Sequence, residues 1–304
     1  MDITVTKGLY IAARALDYFG MTLFLGGLLF IAFLWPRGGD HGRARGVVIT
    51  GWILGVVGTV SAIGLEGAWI SQRSPADFLD WDLIAQVLDV HFGKVWFART
   101  LLWLLGGVVL AQVLQRGRLA ATSLGWRVGL MAIGFGLLRT TGMTGHAAET
   151  DKPTLAQIAD FLHVLGICAW IGGLAMLLFG VLSRREPDEL AAVVPRYSKL
   201  AMGAVLLIIV GGVVLTWQTL GSVGKLFSTD YGRTLLFKIV VLAVILLAAQ
   251  GSRSWVNRRL DFAVVLRGES STVRPFVYSV AAETALVIVV VVAASLLVTA
   301  SPGR

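Results

Sequence analysis

Two stretches of this chain decide its fold: LDYFGMTLFLGGL at residues 16–28 and LHVLGICAWIGGL at residues 162–174. At a constant offset of 146 they share the first Leu, a Gly, a Gly-Gly pair and the final Leu, and Asp17 aligns with His163. Both stretches are apolar enough to lie in a bilayer, where an ionisable side chain is costly and is therefore a functional candidate. The repeat predicts a duplicated membrane protein with a polar or metal site between its halves.

The composition places the chain among integral membrane proteins. Of its 304 residues, 56% are hydrophobic and only 14% are charged. A helix needs about 20 apolar residues to cross the hydrocarbon core. Apolar runs without an alternating polar period favour helices over a barrel. We therefore expect an all-α membrane protein with eight transmembrane helices, at residues 9–35, 47–70, 95–114, 124–143, 154–182, 200–220, 234–256 and 276–298.

The repeat extends beyond the opening pair of stretches. An aromatic-Gly-basic motif recurs at residues 92–94 and 231–233, and its offset of 139 aligns Arg99 with Lys238. We expect a single integral membrane domain, residues 1–304, made of two four-helix halves at 1–143 and 144–304. Because four is an even number, both halves insert with the same orientation and are related by an axis along the membrane normal.

The distribution of positive charge predicts the topology. The first, third, fifth and seventh loops hold 14 of the 26 Lys and Arg residues, against seven on the opposite side. Since basic residues are retained in cytoplasmic loops, both termini should lie in the periplasm of a bacterial inner membrane. The net charge of +8 then reflects this topology in a lipid bilayer, and no nucleic-acid partner is expected. Motifs for ATP binding or hydrolysis are absent, so we expect neither an ATP-driven pump nor an enzyme.

Most of the intramembrane charges fall in the half of the bundle predicted to face the periplasm. Residues of this kind pair with one another or line a water-filled cavity. We expect Arg99 and Lys238 each to pair with a carboxylate, either Glu66 or Asp160. The supporting charges around the predicted site are Arg14, Glu66, Arg99, Arg139 and Lys238, with Glu283 in the last span.

The side chains near Asp17 and His163 include donors that suit copper. Imidazole and thioether groups bind copper well, whereas carboxylates suit harder ions. The candidate metal ligands are His146, His163, Met143, Asp17, Met21 and Asp160. Asp17 would serve as a ligand or as the acceptor that orients His163. Alternatively each residue bonds within its own half, Asp17 with Arg14 for instance, and His163 is structural.

Several segments together resemble the CopD family of bacterial inner-membrane copper resistance and copper uptake proteins. The resemblance implies eight spans, a periplasm-facing copper site that includes His146 and His163, and movement of copper inward. Some members of that family carry a fused periplasmic copper-binding β-domain. This chain has no strand-rich extension, so we expect such a copper-binding partner to be a separate protein. The matching segments are residues 145–147, 160–163, 169–174, 196–201 and 229–232, followed by Lys238 and Glu283.

Two other functions are compatible with intramembrane histidines. A haem b redox protein would use His163 as one axial ligand and His146 or His91 as the other. Only His163 lies well inside a predicted span, which disfavours a pair of axial ligands within the membrane. A copper sensor or scaffold that does not transport is the third hypothesis.

Overall fold

The computed structural model describes residues 2–144, 150–184, 186–222, 224–229, 232–233, 235–237 and 239–243, and these residues contain no strand. Five of the described helices are long and apolar enough to cross a membrane. They are Thr4–Phe33, Gly42–Ile70, His91–Arg116, Pro153–Arg184 and Asp188–Leu220. The chain is therefore a multi-pass all-α membrane protein, as its composition predicts.

We number the helices in chain order. They are α1 (Asp2–Phe33), α2 (Gly42–Ile70), α3 (Trp81–Asp89), α4 (His91–Arg116), α5 (Arg118–Thr122), α6 (Leu124–Thr141), α7 (Pro153–Arg184), α8 (Pro187–Leu220) and α9 (Lys225–Ser228). Short 3-10 turns at Pro36–Asp40 and Pro75–Leu79 join α1 to α2 and α2 to α3.

The first, second, third, fifth and sixth predicted spans are confirmed as long apolar helices. The fourth forms α6, an 18-residue helix that carries Arg127 and Arg139 and is not among the five helices that are long and apolar enough to cross a membrane. The seventh lies largely outside the described residues and the eighth entirely so. The total of eight spans stays a prediction.

Helix α1 lies at the centre of the described bundle. Met21, Phe24 and Leu28 are fully buried along it. It packs along α2 at very short range, since a Cβ added at Gly20 would lie 2.7 Å from the carbonyl oxygen of Gly51. Small residues allow membrane helices to approach backbone to backbone, and here they bring polar side chains of α1 and α2 together.

Helices α1 and α7 cross at the two Gly-Gly pairs. A Cβ added at Gly26 would lie 2.7 Å from the Cα of Gly172, and one added at Gly172 would lie 2.8 Å from the Cα of Gly26. The same two additions would collide with the carbonyl oxygens of Cys168 and Thr22, respectively. Around this crossing α7 leaves the α-helical pattern and forms π turns at Cys168–Gly172 and Met176–Val181. Such π turns are rare in proteins, and many of those that occur lie at functional sites.

The two ends of the bundle differ in their contacts. We call the end that holds residues 71–90 the outer end and the end that holds residues 34–41 the inner end. At the outer end, α3 covers α2 with Leu83 and Val87. At the inner end, His41 stacks on Trp35 with ring centroids 5.2 Å apart, and Arg184 donates to its Nε2 at 2.6 Å.

Candidate metal site

Asp17 and Arg99 form a buried ion pair in the outer half of the bundle. Arg99 Nη2 lies 2.7 Å from Asp17 Oδ2, and the two side chains are 4% and 1% exposed. Arg99 Nε donates to both carboxylate oxygens, at 3.1 and 3.0 Å. Thr59 and Trp103 donate to Oδ1 at 2.7 and 3.1 Å. Five donor contacts therefore occupy the Asp17 carboxylate.

The guanidinium of Arg99 also has hydrogen-bond partners beyond Asp17. Its Nη1 donates to the Leu137 carbonyl at 2.8 Å and to Thr140 Oγ1 at 2.5 Å. Its Nη2 also lies 3.4 Å from Met21 Sδ. A buried charge pair is stable only when additional hydrogen bonds complete both partners, and this one meets that condition. The cluster ties α1, α2, α4 and α6 together.

Two expectations about these charges are wrong. Arg99 pairs with Asp17 rather than with Glu66 or Asp160, because α1 packs closely on α2 and the long side chain of Arg99 reaches the Asp17 carboxylate from α4. Asp17 does not orient His163 either, since its carboxylate is fully used by donors of α2 and α4. It bonds within the first half of the chain, but to Arg99 and not to Arg14.

Arg14 and Glu66 belong to a separate cluster nearer the outer end. Arg14 Nη1 donates to the Tyr10 hydroxyl at 3.4 Å, and its guanidinium lies 5.8 Å from the ring centre of Trp96. Glu66 is buried, and its Oε2 has no hydrogen-bond partner among the described residues. Neither side chain contacts the Asp17–Arg99 pair through a described hydrogen bond.

His163 occupies the position on α7 that Asp17 occupies on α1. Its Nδ1 lies 2.8 Å from the carbonyl oxygen of Ile208 on α8. A carbonyl can only accept, so Nδ1 carries the proton and Nε2 presents a lone pair. The ring edge faces Gly212, where an added Cβ would lie 3.4 Å from Cε1 and 3.5 Å from Nδ1. The backbone of α8 therefore fixes both the orientation and the protonated nitrogen of this imidazole.

Asp160 lies one turn before His163, on the same face of α7. The carboxylate of Asp160 accepts a hydrogen bond from Thr141 Oγ1 at 2.6 Å. Its Oδ2 would lie 3.3 Å from a Cβ added at Gly142. Met143 follows directly, half-buried at the end of α6. The structure thus brings Asp160, His163 and the segment after α6 to one region of the outer half.

Some of the remaining predicted site residues are described by the structure and others are not. Arg139 donates to Gln157 Oε1 at 2.7 Å, while its buried Nη1 has no partner in the described ranges. His91 donates from Nε2 to the Met143 carbonyl at 3.3 Å. No group of three His, Cys, Asp or Glu side chains that could hold a metal ion occurs among the described residues. His146, Lys238 and Glu283 lie outside those residues.

Two protein-family models match most of the chain. The model of the copper resistance protein D-like N-terminal domain matches residues 4–156, and the model of copper resistance protein D matches residues 191–297. This chain belongs to the copper resistance protein D family. Asp160 and His163 fall between the two matched regions. The family assignment confirms the resemblance that the motifs indicate.

A curated relative is similar over most of the chain. The copper transport protein CutJ of Bacillus subtilis (strain 168) is 29% identical over 278 residues, which cover 82% of this chain and 48% of CutJ. This CopD family chain therefore spans about half the length of that relative. No solved structure is significantly similar.

Proposed function

We propose that this CopD family protein takes copper from the periplasmic side of the bacterial inner membrane and moves it toward the cytoplasm, with His163 as a fixed ligand. The observation that carries the proposal is the 2.8 Å contact between His163 Nδ1 and the Ile208 carbonyl. Metal-binding histidines usually donate their second nitrogen to a carbonyl or carboxylate, which fixes the ring and raises its basicity. Nε2 of His163 is the nitrogen left for copper.

Further ligands come from the same region of the outer half. Asp160 shares a face of α7 with His163, one turn away, and Thr141 holds its carboxylate in place. The thioether of Met143 and the imidazole of His146 follow in the next residues of the chain. Imidazole with thioether is a donor set that suits copper. We propose Asp160, Met143 and His146 as the groups that complete the site around His163.

Asp17 and Met21 are left out of this ligand set. The carboxylate of Asp17 is saturated by donors, and the sulphur of Met21 faces the cationic guanidinium of Arg99 at 3.4 Å. A copper ion there would lie beside the Arg99 guanidinium, and the carboxylate that balances this cation is already occupied by its own donors. Haem is not proposed, because His91, one of its alternative axial ligands, is exposed where α4 begins at the outer end, whereas His163 lies within α7.

We propose the direction of copper movement from the predicted topology and from the position of His163 in the outer half of the bundle. The excess of Lys and Arg in alternate loops supports periplasmic termini in an inner-membrane protein of eight spans. With that orientation the region around His163 opens toward the periplasm. The reciprocal contact of Gly26 with Gly172 supports two parallel-related halves. Because the chain spans about half of CutJ, we propose a separate periplasmic copper-binding protein as the copper donor.

Copper uptake by proteoliposomes tests this function. Asn in place of His163 keeps an N–H donor for the Ile208 carbonyl but removes the nitrogen that would bind copper. We expect His163→Asn and Asp160→Asn to lower the initial uptake rate at least about tenfold. His91→Asn is the matched control, because His91 supplies none of the proposed ligands and asparagine keeps an N–H donor for the Met143 carbonyl. Equal uptake by wild type, His163→Asn and empty liposomes would contradict the proposal.

A further inference from the structure

A cavity of about 380 Å³ lies at the inner end of the bundle, where α4, α5 and α6 meet. Its volume falls within the range of about 300–1,000 Å³ that is typical of small-molecule sites. The proposed copper ligands lie in the outer half, so copper binding does not use this cavity. The residues that line it are Gln112, Arg116, Leu119, Ala120, Ser123 and Trp126.

Three of the lining residues carry polar side chains without a partner among the described residues. Gln112 and Arg116 are exposed and lie one turn apart on the same face of α4. Neither side chain forms a hydrogen bond or an ion pair with any residue that the structure describes. Ser123 directly precedes α6, but its hydroxyl does not cap that helix. The cavity therefore offers a guanidinium, an amide and a hydroxyl to a ligand.

The start of α6 adds to the positive potential of Arg116. The first N–H groups of an α-helix have no acceptor within the helix, and the helix dipole places partial positive charge at this end. Helix α6 is 18 residues long, and its first turn contributes Trp126 to the cavity wall next to Ser123. Anions bind at such helix starts. The ligand that suits this cavity is therefore negatively charged.

No carboxylate lines the cavity to neutralise Arg116. At Gly117, with a φ of +51°, the chain turns from α4 into α5, and Asp40 packs against this glycine. The carboxylate of Asp40 accepts a hydrogen bond from the backbone nitrogen of Arg118 at 3.0 Å, which commits it to the start of α5. A bound anion would thus meet an unpaired cation and no anion among the lining residues.

The surface around the cavity is apolar. Leu119 and Leu124 are each 77% exposed, and Val128 follows one turn later on α6 with 59% exposed. Acyl chains cover such side chains, whereas a soluble anion does not. The positive charge of the loop that joins α4 to α6 predicts that this end lies at the level of the cytoplasmic head groups. Basic pockets between membrane helices on that side bind anionic head groups.

We propose that this cavity binds the phosphate group of an anionic glycerophospholipid, such as phosphatidylglycerol, from the inner leaflet. Arg116 pairs with the phosphate, and the Ser123 hydroxyl and the first N–H groups of α6 donate to its oxygens. The acyl chains lie on Leu119 and Leu124. A zwitterionic head group fits less well, because its ammonium group finds no carboxylate in the cavity wall.

The experiment is lipid binding to the purified full chain in detergent, measured by native mass spectrometry. The probes are phosphatidylglycerol, phosphatidylcholine and glycerol 3-phosphate. We expect wild type to bind phosphatidylglycerol at least about fivefold more tightly than phosphatidylcholine. Arg116→Gln should bind phosphatidylglycerol about fivefold more weakly than wild type, and Ser123→Ala should show a smaller loss in the same direction.

Arg118→Gln is the matched control, because it removes the same charge two residues away from a side chain that does not line the cavity. The backbone nitrogen that donates to Asp40 stays in place. This variant should bind phosphatidylglycerol as wild type does, and thermal midpoints near that of wild type would show that all variants are folded.

Three results would overturn the inference. They are equal losses of phosphatidylglycerol affinity in Arg116→Gln and Arg118→Gln, equal binding of the two lipids by wild type, and binding of glycerol 3-phosphate as tight as that of phosphatidylglycerol. The last result would assign the cavity to a soluble phosphate ester. None of these results affects the proposed function, which copper uptake tests separately.

Discussion

Gly26 and Gly172, which align in sequence at the offset of 146, lie against each other where α1 crosses α7. The contact is reciprocal, because each glycine faces the Cα of the other and the carbonyl oxygen one turn before it. A contact between equivalent positions is what a two-fold axis through the crossing produces. It also explains why both helices keep a glycine at this position.

The first prediction concerns this crossing. Gly26→Ala and Gly172→Ala should each destabilise the protein, because a Cβ at either position overlaps the backbone of the other helix. Overpacking typically costs about 1–3 kcal/mol. Thermal unfolding in detergent measures the effect. Gly203→Ala is the control, since a Cβ there meets no atom within 4 Å. Equal midpoints for Gly172→Ala and Gly203→Ala would contradict the close crossing.

The second prediction concerns the Asp17–Arg99 pair. Removing one partner leaves the other buried and unpaired, so Asp17→Asn or Arg99→Met should each cost about 3–5 kcal/mol of stability. The double variant should cost clearly less than the sum of the two single variants. A double-mutant cycle of unfolding free energies measures this coupling. Additive effects would show that the two groups do not act as a pair.

The same pair separates structure from copper binding. The Asp17→Asn/Arg99→Met double variant, once folded, should bind copper as tightly as wild type, because its groups lie outside the proposed ligand set. Chelator competition on the folded fraction provides the measurement. Loss of copper from this variant, with stability retained, would place Asp17 back in the site.

The third prediction concerns acidity at the inner end. Burial and the neighbouring Arg184 lower the pKa of His41 from its usual value. The folded protein therefore binds this proton less readily than the unfolded chain does. The contribution of His41 to stability is complete above pH about 6.5 and is lost as the pH falls through the lowered pKa.

His41→Gln is the comparison for this effect, because glutamine can accept from Arg184 without titrating. We expect the thermal midpoint of wild type to fall more steeply than that of His41→Gln on acidification below pH about 6.5. Parallel pH profiles for the two proteins would contradict a role for His41 protonation. Glu189, which accepts from Arg184 at 2.7 Å, is present in both.

The repeat in the sequence predicted the α1–α7 correspondence but not the partners of Asp17. The 16–28 and 162–174 stretches share enough glycines to reveal their offset. Helices α2 and α8 correspond at an offset of 153, which aligns Gly58 with Gly211. The next residues differ: Thr59 donates to Asp17, and Gly212 faces the His163 ring. The sequences of α2 and α8 are too different to reveal this offset of 153 without coordinates. The Asp17–Arg99 pair was equally hidden, because depth alone favoured Glu66 or Asp160 as the partner of Arg99.

The central claim is that copper binds to Nε2 of His163. X-ray absorption at the copper edge of the copper-loaded full chain tests it most directly, because imidazole gives a recognisable multiple-scattering pattern. We predict that His163→Asn, which keeps a donor to the Ile208 carbonyl, reduces the imidazole contribution and lowers the copper content. An absorption spectrum and a copper content identical to those of wild type would contradict the account.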